Sequence, residues 1–259
     1  MAGLTCEQLI LQGYSVCVID PEGDYRTLGP LPGVVVFGGD DPPPELPDLA
    51  RVFRHPDMSA VIDLSHSPYP QKVSYPKSLL PMLAAIRRAT GLAHRIVIDE
   101  AHYFLHEPNV WELLDFALGA YTLITYRLSD LHPDLRKAIE GVIVKRTTEP
   151  REIQTLLEKI GATDTTSDWK TILATLEMGH AILLPGIEEA EGKLVKVELF
   201  PRLTSHVRHK AKYVDVELLR EQAFVFTENG KFASGPARTL KEFVVGLESC
   251  PHAVLNGHA

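Results

Sequence analysis

Three short apolar segments of the sequence each end in an aspartate. VCVID ends at Asp20, AVID ends at Asp63, and IVID ends at Asp99. If these segments are parallel strands of one sheet, their carboxylates lie at its carboxyl edge, where open α/β sheets bind ligands. The pattern therefore predicts a shared polar crevice. Taken singly, each aspartate is equally consistent with capping of the turn or helix that follows it.

The segment around Asp99 carries the strongest chemical signal. Asp99 and Glu100 follow directly after the apolar residues 96–98. The first carboxylate suits the coordination shell of Mg²⁺, and the second suits activation of a water that attacks a phosphate. The next apolar segment ends at Thr125, where a hydroxyl would sense a terminal phosphate, and Arg127 is placed to contact phosphate or a neighbouring subunit. A strand end with a solvated arginine is the alternative for these two residues.

The elements that must position these side chains alternate along the chain. Short β-branched runs alternate with longer helical patterns, which predicts an α/β fold with a mostly parallel sheet and helices on both faces. Strands are predicted at Ser15–Asp20, Val34–Phe37, Ala60–Asp63, Ile96–Asp99, Thr122–Thr125, Gly141–Val144, His180–Leu184 and Val195–Phe200. Helices are predicted at Leu4–Gln12, Pro76–Thr90, Val110–Leu118, Pro133–Glu140 and Pro150–Ile160.

The domain organisation follows from a change of character near Thr204. Residues 1–204 carry the alternating pattern, and residues 205–259 are predicted to form a small, mainly helical module that includes a helix from Thr239 to about Leu247. The stretch GGDDPPPELP is interpreted as a rigid connector within the first domain, because strand signals resume after it.

The composition indicates a globular, cytoplasmic protein. Hydrophobic residues make up 45% of the chain, and no apolar run is long enough for a membrane span. The net charge of -8 argues against a generally basic nucleic-acid-binding surface. The three cysteines lack CxxC spacing, so they predict reduced thiols rather than disulfides or a cysteine zinc site.

Several segments, in this order, resemble the HerA/FtsK-type ATPases, a hexameric DNA-pumping branch of the RecA-like P-loop fold. They are CEQLILQGYSVCVIDPEGDY, AVIDLS, HRIVIDEAHYFL, LITYRLSDLHPDL and VIVKRTTEPRE. The resemblance implies ATP and Mg²⁺ as cofactors, a homo-oligomeric ring and DNA as a possible partner. It also implies that Asp99 and Glu100 are the Walker B pair and that Thr125 is the polar sensor.

The same resemblance implies roles for residues on other segments. Arg146, just after VIVK, resembles an arginine that such rings offer to a neighbour's nucleotide, and Arg127 is the second candidate for that role. The turn that begins at Asp20 would place Glu22 or Asp24 near the nucleotide.

The chain departs from the family pattern at two points. Nothing in it matches the phosphate-binding motif GxxxxGK[ST], which we expect to lie ahead of Met1, and without that loop nucleotide affinity should be weak. The sensor strand of the family commonly continues Thr-Gln-Arg, whereas this chain has Tyr126 in place of the glutamine.

Other interpretations remain open from the sequence. A non-catalytic scaffold would keep the nucleotide-binding fold without its chemistry. A haloacid-dehalogenase-like phosphatase would use Asp20 as nucleophile and Glu22 as proton donor. The histidine pairs His102/His106 and His206/His209 have spacings compatible with metal, but no third ligand is evident. The basic stretch 205–212 suggests either a solvated linker or a contact with DNA or an acidic partner.

Overall fold

The computed structural model describes residues 1–92, 94–159, 166–184, 195–205, 224–228, 231–232 and 254–257. The chain divides into two compact units, Met1–His206 and Val207–Ala259. Within the described residues, no helix is both long and apolar enough to cross a membrane.

A five-stranded parallel sheet forms the centre of the first unit, with strand order β2-β3-β1-β4-β5. The strands are β1 (Val16–Asp20), β2 (Val34–Gly38), β3 (Ser59–Asp63), β4 (Arg95–Ile98) and β5 (Tyr121–Leu123). Asp20 pairs in register with Asp63, and Ile19 pairs with Ile98. The carboxyl ends of the three aspartate-terminated strands are therefore neighbours, as the sequence pattern predicts.

Apolar residues pack on both faces of this sheet, because alternate residues of a strand point to opposite faces. On one face, Cys17 and Ile19 pack with the apolar sides of helices α2 (Leu46–Val52), α3 (Tyr69–Thr90) and α4 (Val110–Leu113). On the other face, Val16 and Val18 pack with helix α1 (Ala2–Leu11). The predicted mostly parallel α/β architecture with helices on both faces is confirmed.

Three local features differ from the sequence prediction. Helix α2 begins at Leu46, within the proline-rich stretch GGDDPPPELP, and Pro47 in its first turn gives up no helical hydrogen bond. Helix α3 begins at Tyr69, earlier than predicted, and contains Pro76 and Pro81 in its interior. The helix predicted at Val110–Leu118 is instead the single turn α4 and a short 3-10 segment, because Leu114 and Asp115 have extended backbones.

The remaining helices and strands of the first unit form a second, smaller layer. Its sheet is antiparallel, in the order β6-β7-β8, with β6 (Val142–Val144), β7 (His180–Leu184) and β8 (Val195–Glu198). Helices α5 (Pro133–Ala138), α6 (Pro150–Lys159) and α7 (Thr166–Thr175) complete this part of the chain. Residues of α6 and α7 share an apolar cluster with β6 and β7.

In the C-terminal unit, the described residues form three antiparallel strands, β9 (Phe224–Glu228), β10 (Lys231–Phe232) and β11 (Val254–Gly257), in the order β10-β9-β11. The helix predicted from Thr239 to about Leu247 lies outside the described residues.

Candidate functional site

Asp20, at the end of β1, is fully buried and serves as the centre of its own loop. Its Oδ1 accepts hydrogen bonds from the backbone N–H groups of Glu22, Gly23 and Asp24 at 3.2, 2.7 and 3.2 Å. Its Oδ2 accepts from the N–H of Tyr25 at 2.9 Å. Burial raises the pKa of Asp20 to about 6, against the opposing effect of the loop N–H groups. These contacts favour a structural role for Asp20 over cofactor binding, and they disfavour its use as a phosphatase nucleophile.

The Asp63 carboxylate, at the end of β3, also accepts hydrogen bonds from neighbouring groups. Its Oδ2 accepts from Nε of Arg26, and its Oδ1 accepts from the backbone N–H of Ser65 at 2.8 Å. Gly39 donates its N–H to the Asp63 carbonyl oxygen at 3.0 Å. A side chain at Gly38 would collide with the Asp63 carbonyl, so the glycine permits this close approach.

Glu22 projects from the Asp20 loop towards the segment that follows β4. Its Oε1 accepts a hydrogen bond from the Tyr103 hydroxyl at 3.1 Å and lies 3.4 Å from Nζ of Lys72. Asp24 lies on the same loop and is partly buried. The structure therefore places the loop containing these two predicted binding residues next to the residues after Glu100.

Asp99 and Glu100 follow β4 and are both buried, with exposed fractions of 4% and 5%. The Glu100 backbone has a φ of 46° and ψ of 44°, in the left-handed region. For a residue with a side chain this conformation costs roughly 1 to 2 kcal/mol, and such strain clusters at functional sites. Two backbone contacts hold the turn, because Ala101 donates its N–H to Ile124 at 3.0 Å and Tyr103 donates to Glu100 at 2.9 Å.

Thr125 lies just beyond β5 and meets a histidine that follows β4. Its Oγ1 is 3.0 Å from Nδ1 of His102 and accepts the backbone N–H of Arg127 at 2.9 Å. Nδ1 of His102 is also 3.5 Å from Oε2 of Glu100. The structure thus brings together two of the predicted catalytic residues, Glu100 and Thr125, through a side chain that was not predicted to take part.

His102 is the residue that sequence reasoning missed. It was considered as a metal ligand or as a surface or core group, yet only 8% of it is exposed. Burial, together with the nearby Arg127 guanidinium, lowers the pKa of His102 to about 4, so its ring is neutral at pH 7. The available signal was its position directly after the Asp-Glu-Ala run, since a side chain there follows the same strand end as the two acids.

The two predicted arginines occupy different places. Arg127 is exposed, lies 3.7 Å from Asp130, and has its guanidinium carbon 5.2 Å from the centroid of the Tyr126 ring. Arg146 is exposed and follows β6 of the antiparallel sheet.

A cavity of about 580 Å³ opens beside His102. Its lining includes the aromatic rings of His102, Tyr103 and Tyr126 and the guanidinium groups of Arg127, Arg136 and Arg151. Asp130 also lines the cavity and lies 3.3 Å from Arg151, so part of this positive charge is balanced. The cavity is therefore polar, aromatic and suited to an anionic group.

The donor set at this edge matches a hard cation better than zinc. In the part of the chain that the structure describes, no three His, Cys, Asp or Glu side chains form a group that could hold a metal ion. His206 and His209 lie outside the described residues. Mg²⁺ needs only one or two carboxylates when phosphate oxygens and water supply its other ligands, and Asp99 provides such a carboxylate.

Structural comparison identifies a class of nucleotide-hydrolysing protein with the same fold. No protein-family model matches the chain, and no curated protein matches its sequence. Solved structures that match include those of a viral genome-packaging NTPase, at sequence identities that establish likeness of fold alone.

That protein is the genome packaging NTPase B204 from Sulfolobus turreted icosahedral virus 2. Its complex with AMPPCP matches with a TM-score of 0.52 and 16% identity, over 75% of this chain and 87% of that chain. Its complex with ATP-gammaS matches with a TM-score of 0.51 and 18% identity, over 76% of this chain and 90% of that chain. The likeness supports the P-loop NTPase fold that the sequence resemblance implies.

Proposed function

We propose that this chain binds a nucleoside triphosphate with Mg²⁺ at the carboxyl edge of β1, β4 and β5 and hydrolyses the terminal phosphate. The observation that carries the proposal is the geometry of Glu100. This buried carboxylate is held in a left-handed backbone conformation next to Asp99, and it shares a histidine nitrogen with Thr125. The fold is that of an NTPase whose structures contain ATP analogues, which supports the same chemistry here.

Each residue at the edge has a distinct proposed task. Asp99 would hold Mg²⁺ through a carboxylate oxygen, and the bound ion would withdraw charge from the phosphate oxygens. Glu100 orients the attacking water and accepts its proton. Thr125 donates its hydroxyl proton to the terminal phosphate, and Arg127 offers its guanidinium to the charge that develops there.

Nucleotide affinity is expected to be weak in this chain. The backbone N–H groups and the lysine of a GxxxxGK[ST] loop normally hold the phosphates, and no segment of the sequence has that pattern. Glu22 and Asp24 lie on the loop around Asp20, where they would border the nucleotide and add no positive charge. Binding therefore depends on the metal ion and on the arginines near the cavity.

We further propose that hydrolysis drives movement of DNA by a ring of identical subunits. The genome-packaging role of B204 supports a nucleic-acid polymer as the load. Arg127 and Arg146 are both exposed, so either is accessible to a nucleotide held by a neighbouring subunit. In this arrangement adjacent subunits would share each site.

The test is Mg²⁺-dependent ATP turnover by the purified chain at millimolar ATP, compared with the Glu100→Gln variant. Loss of the general base is expected to reduce turnover by about 10²-fold or more while leaving binding of a fluorescent ATP analogue in place. Glu107→Gln is the matched control, because Glu107 is a surface carboxylate that pairs with Lys77 at 2.7 Å. This control is expected to retain wild-type turnover.

A non-catalytic scaffold is the second candidate, and the missing phosphate-loop sequence is the observation that favours it. A folded chain that shows no Mg²⁺-dependent nucleotide binding at millimolar concentration would support the scaffold and overturn the hydrolysis proposal. Turnover that persists unchanged in Glu100→Gln would overturn the assignment of the base.

A further inference from the structure

One ring nitrogen contacts both of the residues to which the hydrolysis proposal gives the central tasks. Nδ1 of His102 is 3.0 Å from Oγ1 of Thr125 and 3.5 Å from Oε2 of Glu100. Glu100 follows β4 and Thr125 follows β5, so this nitrogen connects the ends of two adjacent strands.

The His102 ring itself is held firmly in place by its neighbours. It lies edge to face against Tyr103, with ring centroids 4.9 Å apart, and against Tyr126, with centroids 4.8 Å apart. Edge-to-face contacts between aromatic rings are favourable beyond the burial of their surface. The position of Nδ1 is therefore set by packing as well as by its polar contacts.

The acceptors around the ring determine which nitrogen carries the proton. A neutral imidazole has one N–H, and the Glu100 carboxylate accepts hydrogen bonds without donating any. A carboxylate oxygen beside Nδ1 therefore favours the tautomer with the proton on Nδ1. That N–H then donates to Thr125 Oγ1, with the Glu100 oxygen as a second, longer acceptor.

This assignment fixes the direction of the Thr125 hydroxyl. Its oxygen already accepts the backbone N–H of Arg127 at 2.9 Å. With the His102 N–H as the second donor, both lone pairs are occupied, and the hydroxyl proton must point to a third group. A phosphate oxygen in the crevice is the acceptor that the hydrolysis reaction provides.

We propose that His102 is a positioning residue that acts through a proton on Nδ1. It holds the Glu100 and Thr125 side chains in fixed relative positions and turns the Thr125 hydroxyl proton towards the substrate phosphate. The inference rests on the proposed function for its consequence in catalysis. The geometry on which it depends is independent of nucleotide.

Two substitutions separate the polar contact of Nδ1 from the packing of the ring. His102→Phe keeps an aromatic ring between Tyr103 and Tyr126 and removes the nitrogen. His102→Asn removes the ring and keeps a polar atom at the position of Nδ1, whereas His102→Gln places its polar atoms one bond further out. The exposed His55→Phe, on a different segment, is the control for a histidine-to-phenylalanine change.

The measurement is kcat and KM for ATP in these variants. A lost hydrogen bond to a charged group corresponds to about tenfold in rate or more, so His102→Phe should lower kcat by at least that factor with little change in KM. His102→Asn should be about tenfold faster than His102→Phe, and His102→Gln should resemble the phenylalanine variant. The proposal is overturned if His102→Phe matches the wild type or if His102→Asn is the slowest variant.

A second readout does not depend on turnover. Nitrogen-15 NMR of the histidine side chains at pH 7 should show His102 as a neutral ring protonated at Nδ1, with its resonance assigned by its absence in His102→Phe. A ring protonated at Nε2, or one carrying both protons, would overturn the inference. If the tautomer is as expected but the wild-type chain has no ATPase activity, the proposed function fails while the positioning geometry stands.

Discussion

The two halves of the carboxyl edge use acidic residues in opposite ways. On the β1 and β3 side, Asp20 and Asp63 are saturated by groups of their own chain, chiefly backbone N–H donors and Arg26. On the β4 and β5 side, Glu100 has a left-handed backbone conformation, and its Oε2 lies 3.5 Å from Nδ1 of His102. One half stabilises loops, and the other is the half to which the proposed function assigns the chemistry.

The difference shows that a strand-end aspartate does not by itself indicate a ligand site. Asp20 and Asp99 end segments of nearly the same sequence, VID, in adjacent parallel strands. What separates them is the turn that follows. Pro-Glu-Gly-Asp after Asp20 folds back so that its N–H groups point at the carboxylate, whereas Glu-Ala-His after Asp99 forms a left-handed turn.

Asp20→Ala should have the largest effect, which is a loss of stability. Removing this carboxylate leaves four backbone N–H groups of the loop without their acceptor. Because each buried unsatisfied donor costs about 1 to 3 kcal/mol and part of this loop reaches water, the free energy of unfolding should fall by about 3 to 5 kcal/mol. Urea unfolding at pH 7, followed by circular dichroism, measures the change.

Glu100→Ala is the counterpart on the other half of the edge. It should abolish turnover, because it removes the carboxylate that is proposed to accept the proton of the attacking water. If Asp20→Ala remained as stable as the wild type and instead lost nucleotide binding, Asp20 would be a binding residue and the contrast between the two halves would be wrong.

The free energy of unfolding should depend on pH through the titration of Asp20. Its folded pKa is raised from an ordinary 3.8 to about 6, mainly by burial. The folded state therefore holds this proton more tightly, and the resulting stability is present below pH 4 and lost as the pH rises through about 6. A shift of about two pKa units corresponds to at most about 3 kcal/mol.

Asp20→Asn, which cannot titrate, provides the reference for this effect. The stability difference between wild type and Asp20→Asn should decrease by up to about 3 kcal/mol between pH 4 and pH 7. Taking the difference between the two proteins cancels the contribution of the histidines to the pH dependence of stability. The lowered pKa values of these histidines give a pH dependence of opposite sign. A difference that stays flat over this range would show that Asp20 is not shifted as its burial implies.

The sequence alone was sufficient to predict the strands of the parallel sheet and the proximity of their carboxyl ends. Strands β1, β3 and β4 lie within one residue of the predicted limits, because continuous apolar, β-branched runs are typical of buried parallel strands. Helix α7 was missed, since its sequence TSDWKTILAT gives a weak helical pattern.

The details of the site were less accessible from sequence. The pairing of His102 with Thr125 depends on β4 and β5 being adjacent, which the sequence order does not specify. The left-handed conformation of Glu100 runs against the strong preference of residues with a side chain for negative φ. The role of Asp20 was within reach, because Pro-Glu-Gly after an aspartate is typical of turns that fold back on the carboxylate.

The smallest expected effect tests the strain at Glu100 directly. Glycine adopts positive φ without steric cost, so Glu100→Gly should be about 1 kcal/mol more stable than Glu100→Ala, which keeps the left-handed strain at φ 46°. Ala120 is the matched control, because it is the other described residue with a side chain and a positive φ, at 60°, and it precedes β5 away from the acids. Ala120→Gly should gain a similar stability and keep full ATP turnover, whereas Glu100→Gly should lose turnover. Urea unfolding measures the stability of the three variants, and an ATPase assay measures their turnover. If Glu100→Gly were less stable than Glu100→Ala, the turn would carry no releasable strain, and the reactive character of this half of the edge would depend on the side-chain contacts of Glu100 alone.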